Sequence, residues 1–281
     1  MSLSVMIAGC GDVGSALAQQ LISKGYKVYG LRRNLKHLPP GIQGICADLS
    51  DPVSLQQLPA ADIVVYSVAA SQHDEAGYQS AYIDGMANLL RALPTPPRQL
   101  MFTSSSGVYH QNGGETVDET SPTEPSRFSG RIMLAAEKQV LESGIPASVV
   151  RFSGIYGPGR THMLRQVATG IVAAREPVQR GNRIHRDDCA GFLAHLIEKV
   201  RANEAIEPVY LASDDDPAPL ADIGEWLAEQ LGVEITERKN SRRAGSKRCD
   251  NSRMKASGYR LKYPGYRDGY PALIETFRKE S

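Results

Sequence analysis

The segment AGCGDVG at residues 8–14 constrains the fold of this chain more than any other stretch. It sets Gly9, Gly11 and Gly14 in a Gly-x-Gly-x-x-Gly pattern. The apolar run SVMIAG leads into the pattern, and residues 13–24 after it carry apolar side chains at helical spacing. A strand, a tight turn and a helix are therefore predicted in this order.

The three glycines have separate tasks in such a turn. Gly9 permits the tight bend, Gly11 lets the backbone approach a pyrophosphate, and Gly14 lets the helix pack against the strand. The free N–H groups at the helix N-terminus then face the phosphates. The loop, with Asp12 and Val13 between its last two glycines, predicts a dinucleotide-binding site. A tight turn without a ligand is the alternative.

Apolar runs and amphipathic stretches alternate through the first half of the chain. Further strands are predicted at residues 26–31, 42–47, 62–69, 98–105, 147–152 and 207–212, and further helices at 78–93, 129–143 and 187–200. Strands separated by helices indicate an α/β fold, a doubly wound parallel sheet of Rossmann-like type.

The alternation weakens after residue 157, which predicts a division of the chain. We expect a dinucleotide-binding domain at residues 1–160, to which 186–212 contribute a late helix and strand. Residues 161–185 and 213–281 are expected to form a small C-terminal substrate-binding lobe. The tail of this lobe is rich in proline, glycine, arginine and tyrosine.

The end of the second strand selects the cofactor in this fold class. An acidic residue there would hold the ribose 2′-hydroxyl of NAD, but this chain has Arg32 and Arg33 instead. Because a guanidinium suits a 2′-phosphate by charge and geometry, NADP is favoured over NAD. Asp48 is expected near the adenine, or alternatively as a helix cap. Ala69, which ends the fourth strand, is expected to line the cofactor site.

Composition excludes several classes of function. The net charge is +1, the four cysteines lie far apart, and no apolar run approaches the about 20 residues that span a bilayer. We therefore expect a cytoplasmic protein without a metal site, a membrane anchor or a nucleic-acid partner. The preferred interpretation of the basic stretch NSRRAGSKR at residues 240–248 is a solvated loop. Binding of a substrate diphosphate ranks second and contact with nucleic acid ranks third.

Several motifs resemble those of extended short-chain dehydrogenases/reductases of the NAD-dependent epimerase/dehydratase family. The resemblance rests on FTSSSGVYH at 102–110, RFSGIYGPGR at 151–160, RIHRDDCAGFLAHLI at 183–197, YIDGMANLLRAL at 82–93 and the segment 207–232. They occur in the family's order and cover nearly the whole chain. The resemblance implies hydride transfer at a nicotinamide and a small-molecule substrate, such as a nucleotide-sugar or a related alcohol or carbonyl compound. It also implies a monomer or homodimer.

The family's catalytic residues map onto this chain only in part. A serine that binds the reacting oxygen corresponds to Ser105. The stretch GRIMLAAE at residues 130–137 is similar to the family's active-site helix, and Glu137 fixes the register. Ser129 then stands at the tyrosine position and Met133 at the lysine position, so the proton-transferring dyad is absent.

Other side chains could replace the dyad. Those expected near the carboxyl edge of the sheet are Tyr109, His110, Arg131, Tyr156 and His185, of which Tyr156 and Arg131 are the main candidates. Packing is the competing interpretation of Tyr156. For Arg131 the competing interpretation is an ion pair with an acid such as Glu137, or exposure to solvent.

The segment His185-x-Asp187-Asp188 could hold a metal, but we favour a structural role in which an acid caps the helix. The sequence favours an oxidoreductase with a degenerate dyad. The alternative is a non-catalytic NADP(H)-binding sensor.

Overall fold

The computed structural model describes residues 3–240 and 246–280. Within these residues, seven strands form one sheet: β1 (Ser4–Ala8), β2 (Lys27–Arg32), β3 (Gln43–Cys46), β4 (Ile63–Tyr66), β5 (Gln99–Ser105), β7 (Ala147–Phe152) and β11 (Val209–Ala212). Six short strands pair outside it: β6 (Thr116–Val117), β8 (Gly154–Tyr156), β9 (Ile171–Val172), β10 (Arg183–His185), β12 (Glu237–Arg238) and β13 (Arg248–Cys249).

Helices connect these strands. They are α1 (Asp12–Ser23), α2 (Glu75–Tyr78), α3 (Gly85–Ala92), α4 (Phe128–Leu141), α5 (His162–Ala168), α6 (Arg186–Arg201), α7 (Leu220–Leu231), α8 (Ser252–Ala256) and α9 (Tyr266–Glu280). Short 3₁₀ turns lie at Pro52–Leu55 and Ser106–Val108.

The sheet is parallel and its strand order is β11-β7-β5-β4-β1-β2-β3. The chain adds β2 and β3 on one side of β1, then returns to add β4 and the later strands on the other side. This confirms the doubly wound fold predicted from the sequence. The reversal makes the carboxyl ends of β1 and β4 the switch point, where ligands of such sheets bind.

The centre of the sheet is apolar on both faces. Residues Val5, Met6, Ile7 and Ala8 of β1 are fully buried, as are the four residues of β4. Burial of one such valine or isoleucine side chain contributes about 1.5–3 kcal/mol. These buried strands therefore position the loops that follow them at the carboxyl edge of the sheet.

The predicted helix at residues 78–93 begins earlier and is not uniform. Asp74 starts α2 by accepting a hydrogen bond from the Gly77 N–H at 2.7 Å. A π-helical segment, Gln79–Asp84, then joins α2 to α3. Helical periodicity in the sequence does not encode this wider turn, because it depends on contacts from outside the helix.

The chain divides into two compact units. Unit 1 comprises Met1–His110, Pro122–Arg151 and Cys189–Tyr210, and unit 2 comprises Gln111–Ser121, Phe152–Asp188 and Leu211–Ser281. Unit 2 has its own core, in which Tyr266 and Tyr270 are buried and Trp226 meets Tyr266 edge to face.

Candidate cofactor and active site

The candidate site of unit 1 lies at the carboxyl edge of the sheet. Strand β1 pairs with β4, and β4 pairs with β5, all in parallel. The glycine loop, residues 67–70 and Ser105 follow these three neighbouring strands. Their loops therefore stand side by side at the switch point.

The glycine loop has the packing that its sequence predicts. Gly9 has a φ of +85°, and a Cβ there would lie 2.5 Å from the Ser67 carbonyl oxygen. A Cβ on Gly14 would lie 2.5 Å from the Gly9 carbonyl oxygen. Gly11 is exposed, and a Cβ there would meet nothing within 4 Å. The loop is thus closed against the protein at two glycines and open at the third, as a dinucleotide phosphate requires.

Helix α1 begins directly at this open position. Gly11 is the residue before its first turn, Asp12 is the first helical residue and is exposed, and Val13 is buried against the protein. The N–H groups of this first turn have no partner within the helix, so the end of α1 offers hydrogen bonds and a positive dipole to an anion.

Arg32 lies beside the glycine loop. Its Nη1 donates to the Cys10 carbonyl oxygen at 3.3 Å and to the His37 carbonyl oxygen at 3.5 Å. The guanidinium is therefore held at the end of β2, next to the loop, while Arg33 is exposed. Arg32 is the last residue of β2 and Arg33 is the first residue after it.

Asp48 is not a helix cap, contrary to the alternative drawn from the sequence. Its Oδ1 accepts hydrogen bonds from the N–H and Oγ of Ser50 at 2.9 and 2.7 Å, which lowers the pKa of its carboxyl. The cap of the following 3₁₀ turn is Asp51, whose Oδ1 accepts from the Val53 N–H at 3.0 Å. Asp51 stands one residue before the turn, whereas Asp48 stands too far from its free N–H groups.

Ser105 ends β5 and begins the next turn. Its Oγ accepts a hydrogen bond from the Gly107 N–H at 3.0 Å, and its side chain is half-buried. A Cβ on Gly130 of α4 would come within 2.7 Å of the Gly107 carbonyl oxygen. The absence of a side chain at Gly130 therefore brings the start of α4 against the turn that carries Ser105.

Helix α4 presents the two residues at the mapped dyad positions differently. Ser129, in its first turn, is half-buried, whereas Met133 is 6% exposed and belongs to the hydrophobic core. A thioether in this position makes apolar contacts and donates no hydrogen bond.

A buried polar network fixes α4 to the sheet. The Arg151 guanidinium of β7 donates to both carboxylate oxygens of Glu137, with Nε and Nη2 at 2.7–3.1 Å. Its Nη1 donates to the Tyr109 hydroxyl at 2.9 Å, and the Ser104 hydroxyl donates to Glu137 Oε1 at 2.5 Å. Because Glu137 is only 2% exposed, the ion pair is shielded from solvent. The network therefore anchors α4 to β5 and β7 through Glu137.

The main replacement candidates have structural partners. Arg131 donates to the Ser126 carbonyl oxygen at 2.6 Å and lies 3.8 Å from Glu75 on the surface. The interpretation that Arg131 pairs with an acid or faces solvent therefore holds, but the acid is Glu75, because the carboxylate of Glu137 binds Arg151. In unit 2, Tyr156 is buried, stacks on an aromatic ring at 4.8 Å and donates to a carbonyl oxygen at 3.3 Å. Burial raises the pKa of the Tyr156 phenol.

The remaining candidates are also engaged. The Tyr109 hydroxyl accepts a hydrogen bond from the Arg151 guanidinium, and His110 Nδ1 accepts one from the Glu124 N–H at 3.3 Å. His185 is buried in unit 2 and accepts a hydrogen bond from the Asp187 N–H at 3.1 Å. Burial lowers the pKa of His185, which favours the neutral form of its ring.

Asp188 has a structural role, but this role is not the helix cap that the sequence predicted. Its carboxylate accepts hydrogen bonds from the Tyr259 hydroxyl, the Lys262 N–H and the Tyr263 N–H at 2.7–3.0 Å. It therefore fixes the segment before α9 within unit 2. Across residues 3–240 and 246–280, no group of three or more His, Cys, Asp or Glu side chains is arranged to hold a metal ion.

The basic stretch at residues 240–248 falls mostly on residues 241–245, outside the described residues. Of its described part, Arg248 pairs in β13 with Thr116 of β6. No helix of the part of the chain that the structure describes is long and apolar enough to cross a membrane.

A parallel sheet with an open glycine loop at its switch point defines a dinucleotide-binding α/β protein. Comparison with known proteins gives the family. The model of the NAD dependent epimerase/dehydratase family matches residues 5–212. The chain therefore belongs to the NAD-dependent epimerase/dehydratase family of NAD(P)-binding oxidoreductases.

Individual relatives agree with this assignment. A Methylobacillus flagellatus structure assigned to the NAD-dependent epimerases/dehydratases is 38% identical, with a TM-score of 0.85 over 99% of this chain and 100% of that one. A 3-diazoavenalumate denitrifying reductase of Streptomyces is 27% identical over 82% of each chain. A UDP-glucose 4-epimerase of Thermotoga maritima, at 18% identity and a TM-score of 0.85 over 99% of both chains, shares the fold.

Proposed function

We propose that this protein is an NAD(P)-dependent oxidoreductase that acts on an alcohol or carbonyl carbon of a nucleotide-sugar or a related small molecule. The observation that carries the proposal is the row of loops at the carboxyl edge of unit 1. There the open glycine loop after β1 and the half-buried Ser105 after β5 flank the loop after β4. One loop suits a dinucleotide phosphate, and the other offers a hydroxyl to a reacting oxygen.

The residues present fit a bound dinucleotide. Gly9, Gly11 and Gly14 would hold the pyrophosphate with the N-terminus of α1, beside Asp12 and Val13. Asp48 would lie by the adenine and Ala69 would line the nicotinamide half. When bound, the nicotinamide supplies or accepts the hydride.

NADP is the preferred cofactor in this proposal. Arg32 is held by the Cys10 carbonyl at the glycine loop, and Arg33 is exposed next to it, so two positive charges are available to a 2′-phosphate. We expect Arg32→Ala to weaken NADPH binding while NADH binding changes little. An unchanged ratio of the two dissociation constants, measured by nicotinamide fluorescence, would overturn the NADP preference.

The substrate class is inferred from the neighbours and from unit 2. The Thermotoga maritima epimerase was crystallised with UDP-glucose, and this chain shares its fold. Unit 2 supplies a separate apolar core with its own helices, which suits a substrate-binding lobe. A related alcohol or carbonyl compound remains in the proposal because one relative, 27% identical over 75% of this chain, is named a 2-alkyl-3-oxoalkanoate reductase.

The proposed enzyme lacks the usual tyrosine and lysine on α4. Ser129 and Met133 stand at those positions, and Met133 is buried in the core. An aliphatic hydroxyl is a far weaker acid than a phenol, whose pKa is about 10, and a thioether cannot bind a ribose hydroxyl. Loss of a general acid–base group typically lowers a rate by about 10²–10⁴. Chemistry at an ordinary rate therefore requires a proton donor from elsewhere in the chain.

Ser105 has a defined part in the proposed mechanism. Its Oγ accepts from the Gly107 N–H, which leaves the hydroxyl proton to point away from the backbone. That proton can bind a substrate oxygen and stabilise the negative charge that develops on it. Unit 1 thus orients the reacting carbon against the cofactor site without transferring a proton through Ser105.

The test is to assay purified protein with NADPH and a panel of nucleotide-sugars and aldehydes. We expect turnover that falls at least about tenfold in Ser105→Ala, while the NADPH dissociation constant is unchanged. Absence of NADPH binding would contradict the proposal at its base.

A non-catalytic NADP(H) sensor is the second candidate. The observation that favours it is the serine and buried methionine at the dyad positions. Tight NADPH binding without turnover of the whole panel, and without an effect of Ser105→Ala on any measured property, would favour the sensor over the enzyme.

A further inference from the structure

Tyr78 is distinguished from the other tyrosines near the carboxyl edge of unit 1 by its hydroxyl. The Tyr66 hydroxyl donates to the Ala81 carbonyl oxygen, that of Tyr82 accepts from the Ala70 N–H, and that of Tyr109 accepts from the buried arginine. The Tyr78 hydroxyl makes no hydrogen bond to any described residue, and its side chain is half-buried. Packing therefore holds the ring of Tyr78, while its hydroxyl group is not used in a hydrogen bond to another described residue.

The ring of Tyr78 lies against the start of α4. Its centroid is 5.4 Å from that of Phe128 in an edge-to-face arrangement, and 5.2 Å from that of Tyr82. Phe128 directly precedes Ser129. The ring of Tyr78 therefore packs on the first turn of α4, the turn that also carries Ser129.

The same turn of α4 reaches Ser105. Gly130 packs against Gly107, and the Gly107 N–H binds Ser105 Oγ. Contacts thus run from Tyr78 through the first residues of α4 to the serine that is proposed to bind the reacting oxygen.

An irregular helical turn directly follows Tyr78. The π-helical segment begins at the next residue, Gln79, and π turns inside α-helices are frequent at functional sites. The buried Tyr66 hydroxyl holds the Ala81 carbonyl within this segment, and a Cβ on Gly85 would lie only 2.7 Å from that hydroxyl. The π-helical segment therefore separates α2, which carries Tyr78, from α3.

We propose that Tyr78 is the catalytic proton donor and acceptor of this protein, so that the phenol missing from α4 is supplied by α2. This inference rests on the proposed oxidoreductase function. In the reducing direction, the carbonyl carbon gains a hydride from the reduced nicotinamide as the C=O π bond breaks. The oxygen takes the phenol proton of Tyr78 and becomes a hydroxyl, and solvent returns a proton to the phenolate. In the oxidising direction each transfer is reversed.

Two measurements test the inference. In the first, Tyr78→Phe is expected to lower turnover by about 10²–10⁴ with an unchanged NADPH dissociation constant. The matched control is Tyr29→Phe, a half-buried phenol of β2 whose ring carries Lys27 at 4.9 Å, and it should retain full turnover. Retention of turnover in Tyr78→Phe, within about twofold, would overturn the inference.

The second measurement does not need a known substrate. Tyrosine-labelled protein is examined by NMR with NADP⁺, and the Tyr78 ring resonance is assigned as the one absent from Tyr78→Phe. We expect nuclear Overhauser contacts between the nicotinamide protons and Tyr78, and none to Tyr29. NADP⁺ binding without contacts to Tyr78 refutes the inference alone, whereas failure to bind NADP⁺ or NADPH refutes the proposed function as well.

Discussion

The buried pair of Glu137 and Arg151 gives the sharpest test of how α4 is held in place. We consider Glu137→Gln, which keeps the shape of the side chain and removes its charge. Glu137 is 2% exposed and receives three N–H contacts from Arg151 at 2.7–3.1 Å, with a fourth hydrogen bond from Ser104. The substitution leaves the guanidinium buried without a counter-charge.

The expected loss follows from that uncompensated charge. Removal of one partner of a buried ion pair costs about 3–5 kcal/mol. Because the amide oxygen of glutamine still accepts one hydrogen bond, we expect a value of about 3 kcal/mol, or more than about 100-fold in the folding equilibrium. Urea unfolding followed by circular dichroism should show a midpoint lower by about 1 M.

The chain supplies a matched control at the end of the same helix. Glu142 pairs with Lys138 at 3.9 Å, and both side chains are more than half exposed. Glu142→Gln should therefore change stability by at most about 0.5 kcal/mol. The double substitution Glu137→Leu with Arg151→Met should recover part of the loss, since no charge is then left buried. A cost for Glu137→Gln below about 1 kcal/mol would refute the reasoning.

Two further substitutions test other parts of the structure. Gly9→Ala combines a positive φ with a Cβ 2.5 Å from a carbonyl oxygen, so it should destabilise by more than Gly25→Ala, which has a φ of +82° but open space. Equal losses near 1 kcal/mol in thermal unfolding would show that the clash is relieved. In unit 2, burial raises the pKa of Asp214 from 3.8 to about 8, although the charge of Arg183 opposes the shift and Asp215 and Asp216 add to it. The native state then holds a proton that the unfolded state loses above pH 4. Stability should fall between pH 4 and about 8 by up to about 1.4 kcal/mol per pH unit. Asp214→Asn should flatten this slope, and an unchanged slope in urea titrations would contradict the assignment.

The sequence by itself determined the sheet and its glycine loop. Alternation and composition placed the seven strands of the sheet. The signal was strongest for the central strands such as β1 and β4, because parallel strands buried on both faces must be apolar throughout. Gly9, Gly11 and Gly14 predicted the turn, because only glycine tolerates the backbone angle and the close approaches at its first and third positions. The assignment of Ser129 and Met133 to the positions of the family's tyrosine and lysine is likewise a prediction from the sequence, in which Glu137 sets the count.

Only the tertiary structure decided which side chains have partners. Arg131 could not be separated from Arg151 as the partner of Glu137 by sequence, because the contact joins α4 to a strand that follows it in the chain. Tyr156 and Arg131 were equal candidates until burial and hydrogen bonds gave each a structural role. Tyr78 carried no signal in the sequence, because its significance comes from a π turn held by Tyr66 and from a ring packed against another helix. Local propensity specifies strands and turns, whereas the state of a hydroxyl group depends on neighbours that only the folded chain brings together.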